Sequence, residues 1–122
     1  FMHLLQPTKA VIFWNKHQNG YFAEGELAWC SIGTVKYFDR AYQKDIGGKI
    51  HPTQKPIQLY EWILANYAKP NDLILDTHLG SGSSRIAAYK GGFNFVGFEI
   101  DAEYYEKQEK RFNDFKSQLR LF

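Results

Sequence analysis

The sequence predicts an α/β fold, and three observations predict it. An apolar run, Leu73-Ile-Leu75, ends in Asp76 and is followed at once by a Gly80-x-Gly82 turn. Ser83 and Ser84 then open a helical stretch that runs to Lys90. A second apolar run, Phe95 to Phe98, ends in Glu99. Strand, glycine turn, helix, strand and acid make half of a nucleotide-binding unit.

The whole chain sets outer bounds. Its 122 residues suffice for one domain at most, with an apolar share of 44% that can build a core. The net charge of +2 gives no polyanion partner by itself. A single cysteine, Cys30, excludes an internal disulfide and a zinc site built from several thiolates, and fits a reducing, cytoplasmic setting. No apolar run reaches the roughly 20 residues needed to span a bilayer, so a membrane partner is not expected.

In chain order, Ala10–Trp14 reads as a buried strand, rich in β-branched and aromatic residues. His17–Gly25 reads as a loop. Leu27–Ile32 and Thr34–Phe38 read as two strands joined at Gly33 in a hairpin. Asp39–Ile50, with Gly47-Gly48, reads as an exposed loop. Pro56 suits the first turn of a helix, whose apolar face carries Ile57, Tyr60, Leu64, Tyr67 and Ala68. Lys69-Pro70-Asn71-Asp72 ends that helix. Strand 73–76, helix 83–90 and strand 94–99 follow. Asp101 caps the last helix, which buries Tyr105, Gln108, Phe112, Phe115 and Leu119 and ends near Gln118.

The glycine turn allows close approach of a ligand, and the next helix points its N-terminus at the same place. The dinucleotide fingerprint wants a third glycine, where Arg85 stands. Glu99 can accept both hydroxyls of a ribose. Asp76 is poor company for a pyrophosphate and good company for an ammonium or a sulfonium. S-adenosylmethionine fits these acids better than a dinucleotide. A plainer reading stays open: two glycines that only make a tight connection, and a Glu99 that only caps a helix.

His51-Pro-Thr-Gln-Lys-Pro56, then Asp76-x-x-x-Gly80-Ser-Gly82-Ser-Ser84, then Gly97-Phe-Glu99 resembles the DNA amino-methyltransferases that modify adenine or cytosine. The likeness is to the permuted group in which the cofactor-binding half follows the catalytic half. Tyr104-Tyr105 and Arg111-Phe112 match the helix after the ribose strand, and the match runs from about Val11 to the end. Thr77-His78 stands where Pro-Phe is usual, and Ser83-Ser84 where Thr-Thr is usual, variants similar to those of phage and prophage adenine methylases.

The resemblance implies an incomplete Rossmann-like, S-adenosylmethionine-dependent methyltransferase fold, with a mixed sheet and flanking helices. It implies a single domain fragment, with sheet strands and a hairpin in residues 1–50 and the cofactor-binding half in 51–122. It places Thr53, Gln54 and Lys55 over the methionine end of the cofactor. It places Asp76, Thr77, Gly80, Ser81, Gly82 and Ser83 in the loop beneath, Glu99 on the ribose and Ile100 on the adenine. It implies double-stranded DNA as the partner of the intact enzyme, in restriction–modification.

The family's catalytic motif, a polar residue followed by two prolines and an aromatic, steers and stacks the flipped base. Pro7, Pro52, Pro56 and Pro70 are all isolated here, so no catalytic residue is expected in this chain. The expectation is therefore a fragment, or a chain completed by a partner or by a homo-oligomer. The stretch 16–49 mixes Lys16, Lys36, Arg40, Lys44 and Lys49 with aromatics, which suits nucleic-acid contacts and equally suits a half-buried hairpin with a solvated face. A non-catalytic nucleoside-binding or DNA-interaction module is the alternative reading.

Overall fold

In the computed structural model the described residues are 4–17, 24–40, 50–51 and 54–120. The chain divides into two compact units, Phe1–Gln43 and Lys44–Phe122.

The first unit is a three-stranded mixed sheet. Strands β1 (Ala10–Asn15), β2 (Gly25–Cys30) and β3 (Lys36–Asp39) lie in the order β2-β1-β3. β1 takes the centre because it is the most apolar of the three, with Ala10, Ile12 and Trp14 all buried. It pairs antiparallel with β2, Ala10 opposite Cys30, and parallel with β3, Ile12 opposite Lys36.

The expected hairpin is therefore absent. β2 and β3 are separated by β1, and residues 31–35 carry the chain from one side of β1 to the other. A hairpin would leave the apolar β1 at an edge, with its ladder groups unpaired on one side. Thr8 fastens the crossing by donating its hydroxyl to the Cys30 carbonyl at 2.7 Å. The strand bounds shift accordingly: β2 begins at Gly25, inside the expected loop, and Ile32 is exposed. Lys16 forms an ion pair with Glu26 at 3.7 Å and lies over the Trp14 ring, while Tyr37 stacks on Phe13 at 5.8 Å between centroids. These pairings match a half-buried sheet with a solvated face. Lys44, Lys49 and the rest of 41–49 lie outside the described residues.

The second unit carries α1 (Ile57–Tyr67), β4 (Leu73–Asp76), α2 (Ser83–Lys90), β5 (Asn94–Gly97) and α3 (Ala102–Arg120). Pro56 is the residue before the first turn of α1, extended at φ −67° and ψ 145°. The buried residue of α1 is Leu59, not a member of the expected face; Tyr60 and Leu64 are half-buried. β4 and β5 pair in parallel, Leu73 opposite Asn94 and Asp76 opposite Gly97. The ladder continues past both strands, through Phe98 N–H to the Asp76 carbonyl (2.9 Å) and Leu79 N–H to the Phe98 carbonyl (2.8 Å).

Ile86, Ala87 and Ala88 bury one side of α2 almost completely. Asp101 caps α3 as expected, its carboxylate accepting the Tyr104 N–H at 3.0 Å. Gln108 and Phe112 are buried in α3 as expected, joined by Arg111, whereas Tyr105 and Leu119 are 41% and 49% exposed. The helix packs by its middle turns, so its two ends stay in solvent. No described helix is long and apolar enough to cross a membrane.

Candidate functional site

The carboxyl ends of β4 and β5 lie side by side, and the chain leaves each of them in a loop. This is the place where an open parallel sheet offers a crevice to ligands. A cavity of about 330 Å³ lies there, lined by His51, Gln54, Lys55, Tyr60, His78, Leu79, Gly80, Ser81, Ser83 and Glu99. Its size falls at the small end of the roughly 300–1,000 Å³ of ligand pockets.

The loop beneath the cavity is built by its glycines. Gly80 and Gly82 hold φ of +55° and +79°, where a side chain is strained. Gly82 is also tightly enclosed, because a Cβ there would stand 3.2 Å from Gln108 Cβ and Oε1 and Gln108 would have to give way. The chain thereby turns from β4 into α2 within six residues, 77–82, and presents Ser81 and Ser83 to the cavity.

Two carboxylates brace the turn. Asp76 Oδ1 accepts the His78 N–H at 2.9 Å, and Oδ2 accepts the Ser84 hydroxyl at 2.5 Å. Glu99 Oε1 accepts the Gly80 N–H at 2.8 Å, and Oε2 accepts the Asp101 N–H at 3.0 Å. Glu99 thus ties the loop after β4 to the loop after β5. Each of its oxygens keeps a lone-pair direction for a further donor, so a pair of hydroxyls can still be accepted.

Helix α3 supports the loop from behind. Arg111, 9% exposed, donates from Nη1 to the Ser81 carbonyl and to Ser83 Oγ, both at 2.9 Å. Ser81 Oγ and Ser83 Oγ are 3.2 Å apart. Arg85 occupies the third-glycine position and turns away from the cavity. Its Nη1 donates to Glu109 at 2.6 Å and to Gln108 Oε1 at 3.1 Å, and its guanidinium covers the Phe112 ring at 3.8 Å. The hydrogen bond from Arg85 is the main reason that the Glu109 carboxyl titrates below its ordinary range, against a smaller opposing effect of burial.

Six expected residues line the cavity: Gln54, Lys55, Gly80, Ser81, Ser83 and Glu99. Gln54 is buried and braces its own loop, its Oε1 accepting the Ile50 N–H at 2.9 Å. Asp76, Thr77, Gly82 and Ile100 are outside the lining. Asp76 faces its own loop, Thr77 bonds to the His78 ring at 2.9 Å, Gly82 caps α2, and Ile100 is fully exposed. Thr53 lies outside the described residues.

Sequence reasoning passed over His51, Tyr60, His78 and Leu79. His51 packs on Tyr104 at 4.4 Å between centroids and stands over Gly80, where a Cβ would come 3.8 Å from its ring. The signal for it was its place at the head of the hexapeptide. No group of His, Cys, Asp or Glu suited to a metal ion occurs among the described residues.

The crevice at adjacent strand ends, the glycine loop and the braced acid define a Rossmann-like methyltransferase fold. Solved structures agree. The M1.HpyAVI complex with SAM superimposes with a TM-score of 0.68 at 24% identity, over 85% of this chain and 60% of that one. The cytosine-N4-specific PvuII DNA methyltransferase gives 0.68 at 16% identity, over 85% and 50%. The sequence model of the DNA methylase family (N6/N4) matches residues 9–110, and the chain belongs to that family. The type II methyltransferase M.HinfI of Haemophilus influenzae is 37% identical over 101 residues, 83% of this chain. M1.MboII of Moraxella bovis is 42% identical over 77 residues, 59% of this chain. The chain spans 27% and 30% of the lengths of these two relatives.

Proposed function

We propose that this chain is the cofactor-binding part of an S-adenosylmethionine-dependent DNA amino-methyltransferase. The observation that carries the reading is the cavity at the ends of β4 and β5, with Glu99 on one side and the Gly80–Ser83 loop on the other. The residues fit the cofactor. Glu99 has free acceptor directions for the ribose hydroxyls, and Gly80 lets the loop pass beneath the His51 ring without a side chain between them. Gln54 and Lys55 border the cavity where the family likeness sets the methionine end.

Once bound, S-adenosylmethionine supplies a methyl group on a sulfonium. The chain's own part is to hold the nucleoside at Glu99 and to exclude water with His51, Tyr60 and Leu79. The target is an exocyclic amino group of a base in double-stranded DNA. Adenine N6 is favoured over cytosine N4 by the Thr77-His78 and Ser83-Ser84 variants alone.

Turnover requires the double-proline motif, which this chain lacks, so we assign methyl transfer to the chain together with the part that carries that motif. The uncovered face of the β4–β5 pair supports this. Leu73, Leu75, Val96 and Phe98 are 66%, 61%, 41% and 59% exposed, whereas a parallel pair is ordinarily covered on both faces. A partner chain or a second copy would serve the same purpose.

Calorimetric titration of the chain with S-adenosylhomocysteine and with NAD tests the reading. Heat with the first and none with the second supports it, and the reverse overturns it. Methyl transfer to duplex DNA by the chain alone would overturn the claim that it is incomplete, and a compact monomer on size exclusion would count against a partner copy.

A further inference from the structure

We infer that Arg111, which lies behind the loop and outside the cavity lining, is a positioning residue that sets the direction in which the Ser81 hydroxyl donates. The inference rests on the cofactor reading above and names how one end of the cofactor is recognised.

A guanidinium carries five N–H donors and no acceptor. At 2.9 Å from Arg111 Nη1, Ser83 Oγ must therefore accept. Ser83 is 2% exposed against 5% for Ser81, and the Arg111 N–H takes one of its lone pairs, which turns its own proton toward a neighbouring side chain. Ser81 Oγ, 3.2 Å away, is its acceptor. The Ser81 proton is then released toward the cavity, which both serines line. Arg111 also donates to the Ser81 carbonyl at 2.9 Å, which fixes the backbone from which that hydroxyl projects.

The donors run in one direction, from guanidinium to Ser83 to Ser81, and each bond polarises the next. Without the guanidinium the two hydroxyls could pair either way round, and half of those arrangements would point a lone pair at the ligand. The favoured ligand group is therefore an anionic acceptor. Charge placement agrees. Arg111 is buried against the start of α2, where the helix already concentrates positive potential. The only anionic group of S-adenosylmethionine is its amino-acid carboxylate.

The test compares two ligands on the intact chain by calorimetry: S-adenosylhomocysteine, and 5′-methylthioadenosine, which keeps the nucleoside and the sulfur but has no amino-acid carboxylate. Arg111→Met and Ser83→Ala should each weaken S-adenosylhomocysteine about tenfold, the size expected for a charge-assisted hydrogen bond, and weaken methylthioadenosine by under about twofold. Arg111→Lys should restore most of the loss. Equal weakening of both ligands would mean that Arg111 only supports the loop, and no weakening of either would also overturn the inference. If circular dichroism shows Arg111→Met unfolded, Ser83→Ala decides by the same ligand split. If the unmodified chain binds neither ligand, the cofactor reading itself fails and takes this inference with it.

Discussion

Glu99→Gln separates a residue that only contacts ligand from one that also holds the site together. The two shapes are nearly the same, but Gln offers one acceptor oxygen and one donor amide. In the native chain both oxygens accept backbone N–H groups, from Gly80 at 2.8 Å and from Asp101 at 3.0 Å. The amide must therefore face one of these N–H groups, donor to donor. Leaving a buried donor unsatisfied costs about 1–3 kcal/mol. Glu99 is only half-buried, so water recovers part of this and about 1–2 kcal/mol is expected. The assay is urea denaturation of the ligand-free chain, followed by titration with S-adenosylhomocysteine. Binding should fall by a further factor of roughly 10 to 100, from hydrogen bonds between hydroxyls and a charged acceptor. A ligand-free variant as stable as the parent, or more stable, would refute the bracing role and leave Glu99 as a ligand contact alone.

Three further outcomes follow from the same packing. Gly82→Ala forces alanine into a left-handed conformation at φ +79° and drives its Cβ to 3.2 Å from Gln108, so thermal or urea melts should show a loss of about 1–2 kcal/mol. Ile86→Ala empties a site that is 2% exposed and should cost about 2–4 kcal/mol in the same measurement. Glu109→Gln tests linkage. Glu109 titrates low in the folded chain, chiefly through the Arg85 hydrogen bond, so it adds stability above the unfolded carboxylate value of about 4.3 and loses it as pH falls through the folded value. The parent should exceed the variant at pH 7 by less than about 1 kcal/mol, since the pair is partly solvated, and the gap should narrow as melts are taken to progressively lower pH.

The elements legible in the sequence were those with strong local signals. The run ending in Asp76, the two glycines and the Asp101 cap each act within a few residues and form where expected, while the second strand starts at Asn94 as expected and ends at Gly97, two residues before Glu99. The hairpin failed because pairing partners are chosen by burial across the sheet. Nothing between Cys30 and Lys36 states that the chain must cross the apolar Ala10–Asn15 strand. The α1 face was legible only in part for a similar reason: its five expected members are all half-buried, and none of them is the buried residue. Leu59 and Leu64 have the same chemistry, and only the packing of this helix selects Leu59 for burial. At the site, the residue types were legible but their division of labour was not. Asp76 and Glu99 read alike as acids at strand ends, yet the first turns back on its own loop and the second bridges two loops and lines the cavity.

That division changes the reason for preferring a sulfonium cofactor to a dinucleotide. The case first rested on repulsion between Asp76 and a pyrophosphate, but Asp76 has its oxygens on His78 and Ser84 and stands outside the lining. A cation behind the loop and the positive end of α2 would by themselves welcome a phosphate. What opposes one is the use already made of the loop's donors. A dinucleotide site offers its pyrophosphate the backbone N–H groups of the glycine turn. Here the Gly80 N–H is given to Glu99, and the Gly82 N–H to the Leu79 carbonyl at 2.9 Å. Lys55 lines the cavity beside the Ser81 hydroxyl, so the side-chain donors alone do not oppose a phosphate. The occupied N–H groups of the two glycines thus favour an amino-acid nucleoside, and inorganic pyrophosphate at millimolar concentration should leave S-adenosylhomocysteine binding unchanged in a competition titration. Displacement by pyrophosphate would show that the loop N–H groups are freed for phosphate, and the case for the smaller anion would be lost.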